Sequence, residues 1–174
     1  EEANRALYQL SCSHELLKGM GTTLCLLQFF GERAIFSHVG DSRIYRLRNR
    51  VIEQLTQDHS LLREMKDLGA EFDAQQEPIF KNIITKAMGT EEGIQASIHM
   101  QLIQAHDLYL LSSDGLSDCL SRQEIEQFLN QPHTVEERVR ALIHAAKAKG
   151  GYDNITVVLV EVQESVTAHT ENLS

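Results

Sequence analysis

The sequence predicts an α+β fold in which antiparallel strands and amphipathic helices form one domain. Three observations lead there. Short β-prone stretches divided by Gly, Asn and Asp fill Thr22 to Leu55. Two capping boxes, Ser121 with Glu124 and Thr134 with Glu137, announce helices. Between these regions Leu108, Tyr109, Leu110 and Leu111 form an unbroken apolar run, as expected of a strand covered on both faces.

In chain order, Ala3, Ala6, Leu7 and Leu10 share one face of an opening helix, and Lys18 to Gly21 break it. Thr22 to Phe30 is apolar enough for an interior strand, and Gly31-Glu32 turns it into a partner over Arg33 to Val39. Gly40 and Asp41 interrupt; Ser42 to Leu47 and Val51 to Leu55 then read as a second hairpin across Arg48-Asn49-Arg50, continuing an antiparallel meander. A helix over Ser60 to Leu68 takes Asp58 or Ser60 as its N-cap and Gly69 as its stop. Ala70 to Lys81 loses periodicity around Pro78 and reads as a surface loop or short irregular helix. Ile94 to Leu102 alternates apolar and polar residues like a strand with one wet face. The two capped helices cover a sheet, Gly150 and Gly151 end the second, and Ile155 to Val162 is the last strand. Residues 1–163 make the domain, and 164–174 form a polar tail expected to be disordered.

Composition excludes several function classes. The 174 residues, 42% hydrophobic, suffice for a substantial core, and no stretch has the roughly 18 to 20 apolar residues of a membrane span. A formal net charge of -9 opposes binding to nucleic acid or an anionic membrane and favours cations. Three unpatterned cysteines, Cys12, Cys25 and Cys119, point to a reducing, cytoplasmic setting without a zinc cluster. The chain begins at Glu1 without a signal-peptide pattern, and the missing initiator Met fits a trimmed or excerpted sequence.

The chemistry-bearing residues are aspartates. Asp41, Asp114, Asp118 and Asp153 each adjoin an apolar strand, with Gly or Asn in the turn. For any one of them a turn or cap role is the commoner fate; the four together, converging at one sheet edge, suit a hard cation such as Mg²⁺ or Mn²⁺. Cysteine chemistry is disfavoured, because a phosphate-binding arginine is needed six positions after the nucleophile and the three cysteines have Lys18, Gly31 and Ile125 there. Gly19 to Thr23 lacks a phosphate-binding lysine and precedes a strand. His38 and His59 flank candidate loops as acid–base candidates, although packing is the more frequent role for such histidines.

Six ordered strings carry a resemblance: GMGTT at Gly19 to Thr23, HVGDSRIY at His38 to Tyr45, LTQDHSL at Leu55 to Leu61, ITKAMG at Ile84 to Gly89, DLYLLSSDGLSD at Asp107 to Asp118, and GGYDNITVV at Gly150 to Val158. Together they closely resemble the metal-dependent protein phosphatases of the PPM, or type 2C, class, above all the bacterial serine/threonine members. The resemblance implies an α-β-β-α sandwich of two antiparallel sheets flanked by helices, incomplete at its N-terminus, with a metal centre at one sheet edge. It implies metal ligation by Asp114 and Asp153 at the catalytic pair of Mg²⁺ or Mn²⁺ ions, and a third, weaker site using Asp41 and Asp118. Hydrolysis of phosphoserine or phosphothreonine by a metal-activated water is the implied reaction, opposing a serine/threonine kinase. Ala70 to Lys81 falls where the family has a flap near the substrate.

Three features of the family do not occur in this chain: a phosphate-contacting arginine, an early acidic ligand, and an Asp-Gly-Met-Gly-Gly motif whose aspartate bridges the catalytic metals. The sequence therefore presents two expectations from different classes. One is the C-terminal portion of a metal-dependent phosphatase; the other is a non-catalytic pseudophosphatase or regulatory binding module with an open sheet edge.

Overall fold

The two N-terminal hairpins belong to different sheets. In the computed structural model, which describes residues 1–73 and 75–164, β1 (Leu24–Phe30) pairs with β2 (Arg33–Val39), and β3 (Arg43–Arg48) pairs with β4 (Val51–Gln54). The expected meander is thus broken at Gly40 to Ser42, where the chain crosses from one sheet to the other. Gly40 permits the crossing: its φ is +101°, and a Cβ there would lie 2.4 Å from Thr23 Cγ2. After helices α2 (Leu61–Asp67) and α3 (Glu77–Lys81), β5 (Ser97–Leu102) returns to β2, completing a three-stranded antiparallel sheet in the order β1-β2-β5. β6 (Leu108–Ser112) pairs with β3, and β7 (Val157–Glu161) pairs with β6, giving an antiparallel sheet in the order β4-β3-β6-β7.

Alternation sets the layers. Tyr45, Leu47, Leu108 and Leu110 point outward from the four-stranded sheet into a core closed by Ile125 and Leu129 of α5 (Arg122–Leu129) and Leu142 and Ala146 of α6 (Val135–Ala148). Both expected capping boxes are present, with Ser121 and Thr134 each exchanging hydrogen bonds with the Glu three residues on. Tyr109 points the other way, meeting the Phe29 ring edge-on at 5.5 Å and accepting a hydrogen bond from Gln101 Nε2 at 3.1 Å. Arg46 donates to Gln101 Oε1 at 2.9 Å, so the two sheets are joined by aromatic packing and by a polar bridge.

Several boundaries differ from the sequence expectation. Thr22 to Phe30 contains an edge strand rather than an interior one: among the described residues β1 pairs only with β2, and its outward side chains Leu24, Leu26 and Phe30 are exposed, as are Ile98, Met100 and Leu102 beyond β2. An apolar run identifies a strand without saying whether anything covers both its faces. The opening helix α1 (Glu2–Ser13) docks against Met88 to Glu92, with Asn4 Oδ1 accepting from Gly89 N and Asn4 Nδ2 donating to the carbonyls of Glu91 and Glu92. Ser60, not Asp58, caps α2. The strand expected from Ile94 begins at Ser97, and the one expected from Ile155 begins at Val157, where ladder pairing with β2 and β6 respectively starts. Within the stretch expected as a loop or short irregular helix, Glu77–Lys81 forms α3. The expected tail, beyond Glu164, lies outside the described residues.

The turn from β5 into β6 is pinned by a buried ion pair. Asp107 is 1% exposed and receives Arg48 Nε at 2.7 Å, Arg48 Nη2 at 2.6 Å and the Gln104 amide at 2.9 Å. Burial pushes its carboxyl up, but the Arg48 hydrogen bonds and the Gln104 amide outweigh burial and hold it below the usual range. Arg48→Ala would strand that carboxylate and is expected to cost about 3–5 kcal/mol in urea unfolding at pH 7. Because the folded-state value is depressed, the ion pair's contribution is present above the ordinary Asp range and is lost as pH falls through the folded value. The penalty should therefore shrink in acid, and an equal penalty at pH 7 and in acid would contradict the assignment.

Candidate metal centre

Three chain segments meet at one end of the sandwich. The first is the crossing loop Gly40 to Ser42, the second the loop after β6 that opens α4 (Asp114–Ser117), and the third the Asp153-Asn154 turn before β7. The second and third are stitched together. Ser113 N donates to Thr156 O at 3.1 Å, Thr156 N donates to Ser113 Oγ at 3.0 Å, and Ser113 Oγ donates to Asn154 O at 3.0 Å. Gly115 lies flush against this turn: a Cβ there would sit 2.5 Å from Asn154 O. The carboxylates of Asp114 and Asp153 are set by their own turns, Asp114 Oδ1 accepting from Gly115 N at 2.8 Å and Asp153 Oδ1 from Asn154 N at 2.6 Å.

The first loop is fastened to the start of β1. Thr23 Oγ1 and Ser42 Oγ are 2.8 Å apart, and Cys25 Sγ donates to Ser42 O at 3.1 Å. Behind it, Gly40 N donates to His59 Nδ1 at 3.0 Å while His59 N donates to Gly40 O at 3.0 Å, fixing the residue before Asp41 from both sides. Burial, with His38 and Lys86 nearby, holds His59 below the usual imidazole range, which keeps Nδ1 an acceptor. His38 is 2% exposed, stacked on His59 at 4.7 Å and bonded to the Gln57 carbonyl at 2.8 Å. Both histidines therefore hold the loop in place, the packing role that their neighbours in sequence left open. The Cys25 thiol is pushed up to about 12, by burial first and then by Asp41 and Asp58, which disfavours the thiolate at neutral pH.

The four aspartates form an electrostatic group centred on Asp114. Its carboxyl is raised by burial and by the charges of Asp118 and Asp153; that of Asp41 is raised by burial and by the charge of Asp114. Two cations approach. Lys81, at the end of α3, pairs with Asp118. Arg43 is taken by Asp58, with Nε donating to Oδ1 at 2.9 Å and Nη2 to Oδ2 at 2.5 Å. Lys81 and Asp58 were not singled out from the sequence as site residues. Asp58 stood in a string that carried the resemblance, but nothing in the letters paired Lys81 with a residue 37 positions away. Hard oxygen donors that disfavour one another's charge suit a divalent cation. The set is incomplete on its own: no three His, Cys, Asp or Glu side chains among the described residues gather closely enough to hold an ion.

Comparison with known proteins assigns the fold to a family. The chain is 39% identical over 163 residues to the serine/threonine phosphatase stp of Listeria monocytogenes serotype 4b, a match covering 92% of this chain and 64% of the relative. The structure of the Streptococcus agalactiae serine/threonine phosphatase superposes with a TM-score of 0.86 at 37% identity, covering 94% of this chain and 67% of that one. This chain belongs to the bacterial serine/threonine protein phosphatases of the metal-dependent 2C type. Another member, the catalytic domain of PstP in complex with two manganese ions, matches with a TM-score of 0.82 at 35% identity, covering 92% of this chain and 67% of that one. No family model matches the chain. It thus spans about two thirds of the length of these phosphatases.

Two outcomes test this geometry. Gly115→Ala is expected to cost about 1–3 kcal/mol in urea unfolding and to shift the Asn154 amide resonance, since backbone must yield. Gly93→Ala, with open space around its Cβ, should do neither. The raised carboxyls give the second. A group whose folded-state pKa lies above its unfolded value adds stability below the ordinary Asp range and loses it as pH rises through the folded value. In metal-free protein, Asp114→Asn should therefore raise Tm by about 2–4 °C at pH 7. That gain should vanish toward pH 4, and a gain independent of pH would contradict the repulsion.

Proposed function

We propose that this chain is the larger part of a Mg²⁺- or Mn²⁺-dependent phosphatase acting on phosphoserine and phosphothreonine in proteins, with Asp114 and Asp153 as metal ligands of the catalytic centre. The observation that carries the reading is the pair of stitched turns, which gives Asp114 and Asp153 a common edge in a fold shared with phosphatases. Asp41 and Asp118 serve a third, weaker cation site, where Lys81 holds the place of the cation at Asp118. When bound, the metal pair supplies a nucleophilic water and offsets charge building on the phosphoryl oxygens. The chain's own contribution is positional: the turn amides of Gly115 and Asn154 hold one oxygen of each carboxylate and leave the other available. The names of the relatives support catalysis over a non-catalytic binding module.

Phosphorylated proteins are the substrates, and a serine/threonine kinase supplies them. Residues 1–163 belong to the phosphatase domain and 164–174 to its polar tail. A cytoplasmic, signalling role without nucleic acid or membrane partners fits the charge of -9 and the three thiols. No helix among the described residues is long and apolar enough to cross a membrane.

The full-length protein tests this reading. Turnover of p-nitrophenyl phosphate should require added Mn²⁺ or Mg²⁺, and Asp114→Ala should reduce it by about 10³-fold or more, the order expected when charge stabilisation at a reacting centre is removed. Undiminished turnover in EDTA, or in a folded Asp114→Ala protein, would overturn it.

A further inference from the structure

A cleft of ≈ 370 Å³ lies at the end of the four-stranded sheet away from the acidic loops. It is bounded by the β3–β4 turn, the β5–β6 turn and Arg138 of α6. β6 joins the two regions: Leu108 lines the cleft, and Ser112 leads into the acidic loop. At about 3.3 Å per residue Leu108 and Ser112 are about 13 Å apart.

The charges lining this cleft are distributed unlike those of the chain as a whole. Arg48 and Asp107 neutralise each other through the bidentate pair already described, which forms the rigid floor. Arg50 and Arg138 remain. Arg138 donates from Nε to the Gln131 carbonyl at 3.2 Å, and neither guanidinium pairs with a carboxylate among the described residues. Among the described residues, Glu161 is the one lining carboxylate besides Asp107. His106 is exposed and shares its Nε2 with Glu164 Oε1 at 3.3 Å.

The backbone here is held in a shape that L side chains adopt at a cost. Asn49 (φ 51°), Arg50 (φ 67°) and His106 (φ 67°) are the non-glycine residues with positive φ among the described residues, and all three line this cleft. A two-residue hairpin turn accounts for the conformation of Asn49 and Arg50, but glycine is the usual second residue and arginine stands there. Asn130 Nδ2 clamps the turn by donating to the Arg50 carbonyl at 2.9 Å. The clamp ties the base of Arg50 to the loop that precedes α6 and Arg138.

We propose that this cleft binds a phosphate dianion, free or carried as a phosphoryl group on a protein, between the guanidinium groups of Arg50 and Arg138. Two planar forks match the charge and geometry of a dianion, whereas a single carboxylate would leave one fork unpaired. The site is independent of whether the acidic edge is catalytic, because it uses none of the same residues.

The test is NMR titration of the Arg50 and Arg138 Nε–H resonances in the full-length protein, kept metal-free with EDTA. Inorganic phosphate is added at constant ionic strength, with chloride as the blank. Both resonances should shift saturably, and the Arg50→Gln/Arg138→Gln protein should bind phosphate at least about tenfold more weakly, as expected when both forks are lost. Its Tm and its metal-dependent turnover of p-nitrophenyl phosphate should be unchanged. Arg138→Lys, which keeps the charge and loses the fork, should bind with intermediate strength. A phosphoserine peptide and its unphosphorylated form decide the source: shifts with the phosphopeptide identify a protein-borne group, and shifts with inorganic phosphate alone identify the free ion. Shifts equal to those in chloride, no saturation with either phosphate probe, or undiminished binding in the double variant would overturn the proposal.

Discussion

Carboxylates held beside one another repel, and this chain brings four of them to one end of its two sheets, Asp41 and Asp114 half-buried and Asp118 and Asp153 exposed, with little positive charge to balance them. Arg43 is committed to Asp58 and Lys81 to Asp118. Asp41, Asp114 and Asp153 have no ion-pair partner among the described residues, and the first two carry raised carboxyls as a result of burial and neighbouring charge. The surrounding structure resists this repulsion. Gly40 lets the chain cross between sheets where no Cβ would fit, and Gly115 brings one acidic turn against the backbone of the other. In the proposed reading a divalent cation would offset that opposition.

The apolar core makes the opposition sustainable. α5 and α6 seal the outer face of the four-stranded sheet over Leu108 and Leu110, so the strand that delivers Asp114 is among the least movable parts of the molecule. The smaller sheet contributes through its inner face, where Cys25 and His38 support the crossing loop, while its outer face leaves Phe30, Ile98 and Leu102 in contact with solvent. Helix α3 touches the acidic loops through Lys81, the end of a flexible side chain.

Much of this was legible in the letters. The period-two strands, the capping boxes and the buried run before Asp114 express local chemistry, and each appears where that chemistry places it. The recurrence of Asp beside Gly or Asn after a strand marked the site residues, although a turn aspartate and a ligand aspartate look alike singly. What escaped was non-local. Hydrophobicity could not say that β1 would have a solvent-facing side, because coverage is decided by distant segments. The hairpins looked continuous because a chain switching sheets at Gly40 uses the same residues as one that merely turns. Lys81 and Arg43 found their carboxylate partners through tertiary geometry that no spacing rule encodes.

The central claim is that a divalent cation sits where the three acidic loops meet. Paramagnetic broadening by sub-stoichiometric Mn²⁺ in the full-length protein tests it most directly, because the effect falls steeply with distance from the ion. The account predicts that backbone amides of Gly40 to Ser42, Ser113 to Asp118 and Tyr152 to Asn154 broaden first and together. Broadening centred on another acidic stretch, such as Glu91 and Glu92, or spread evenly over the surface, would contradict it.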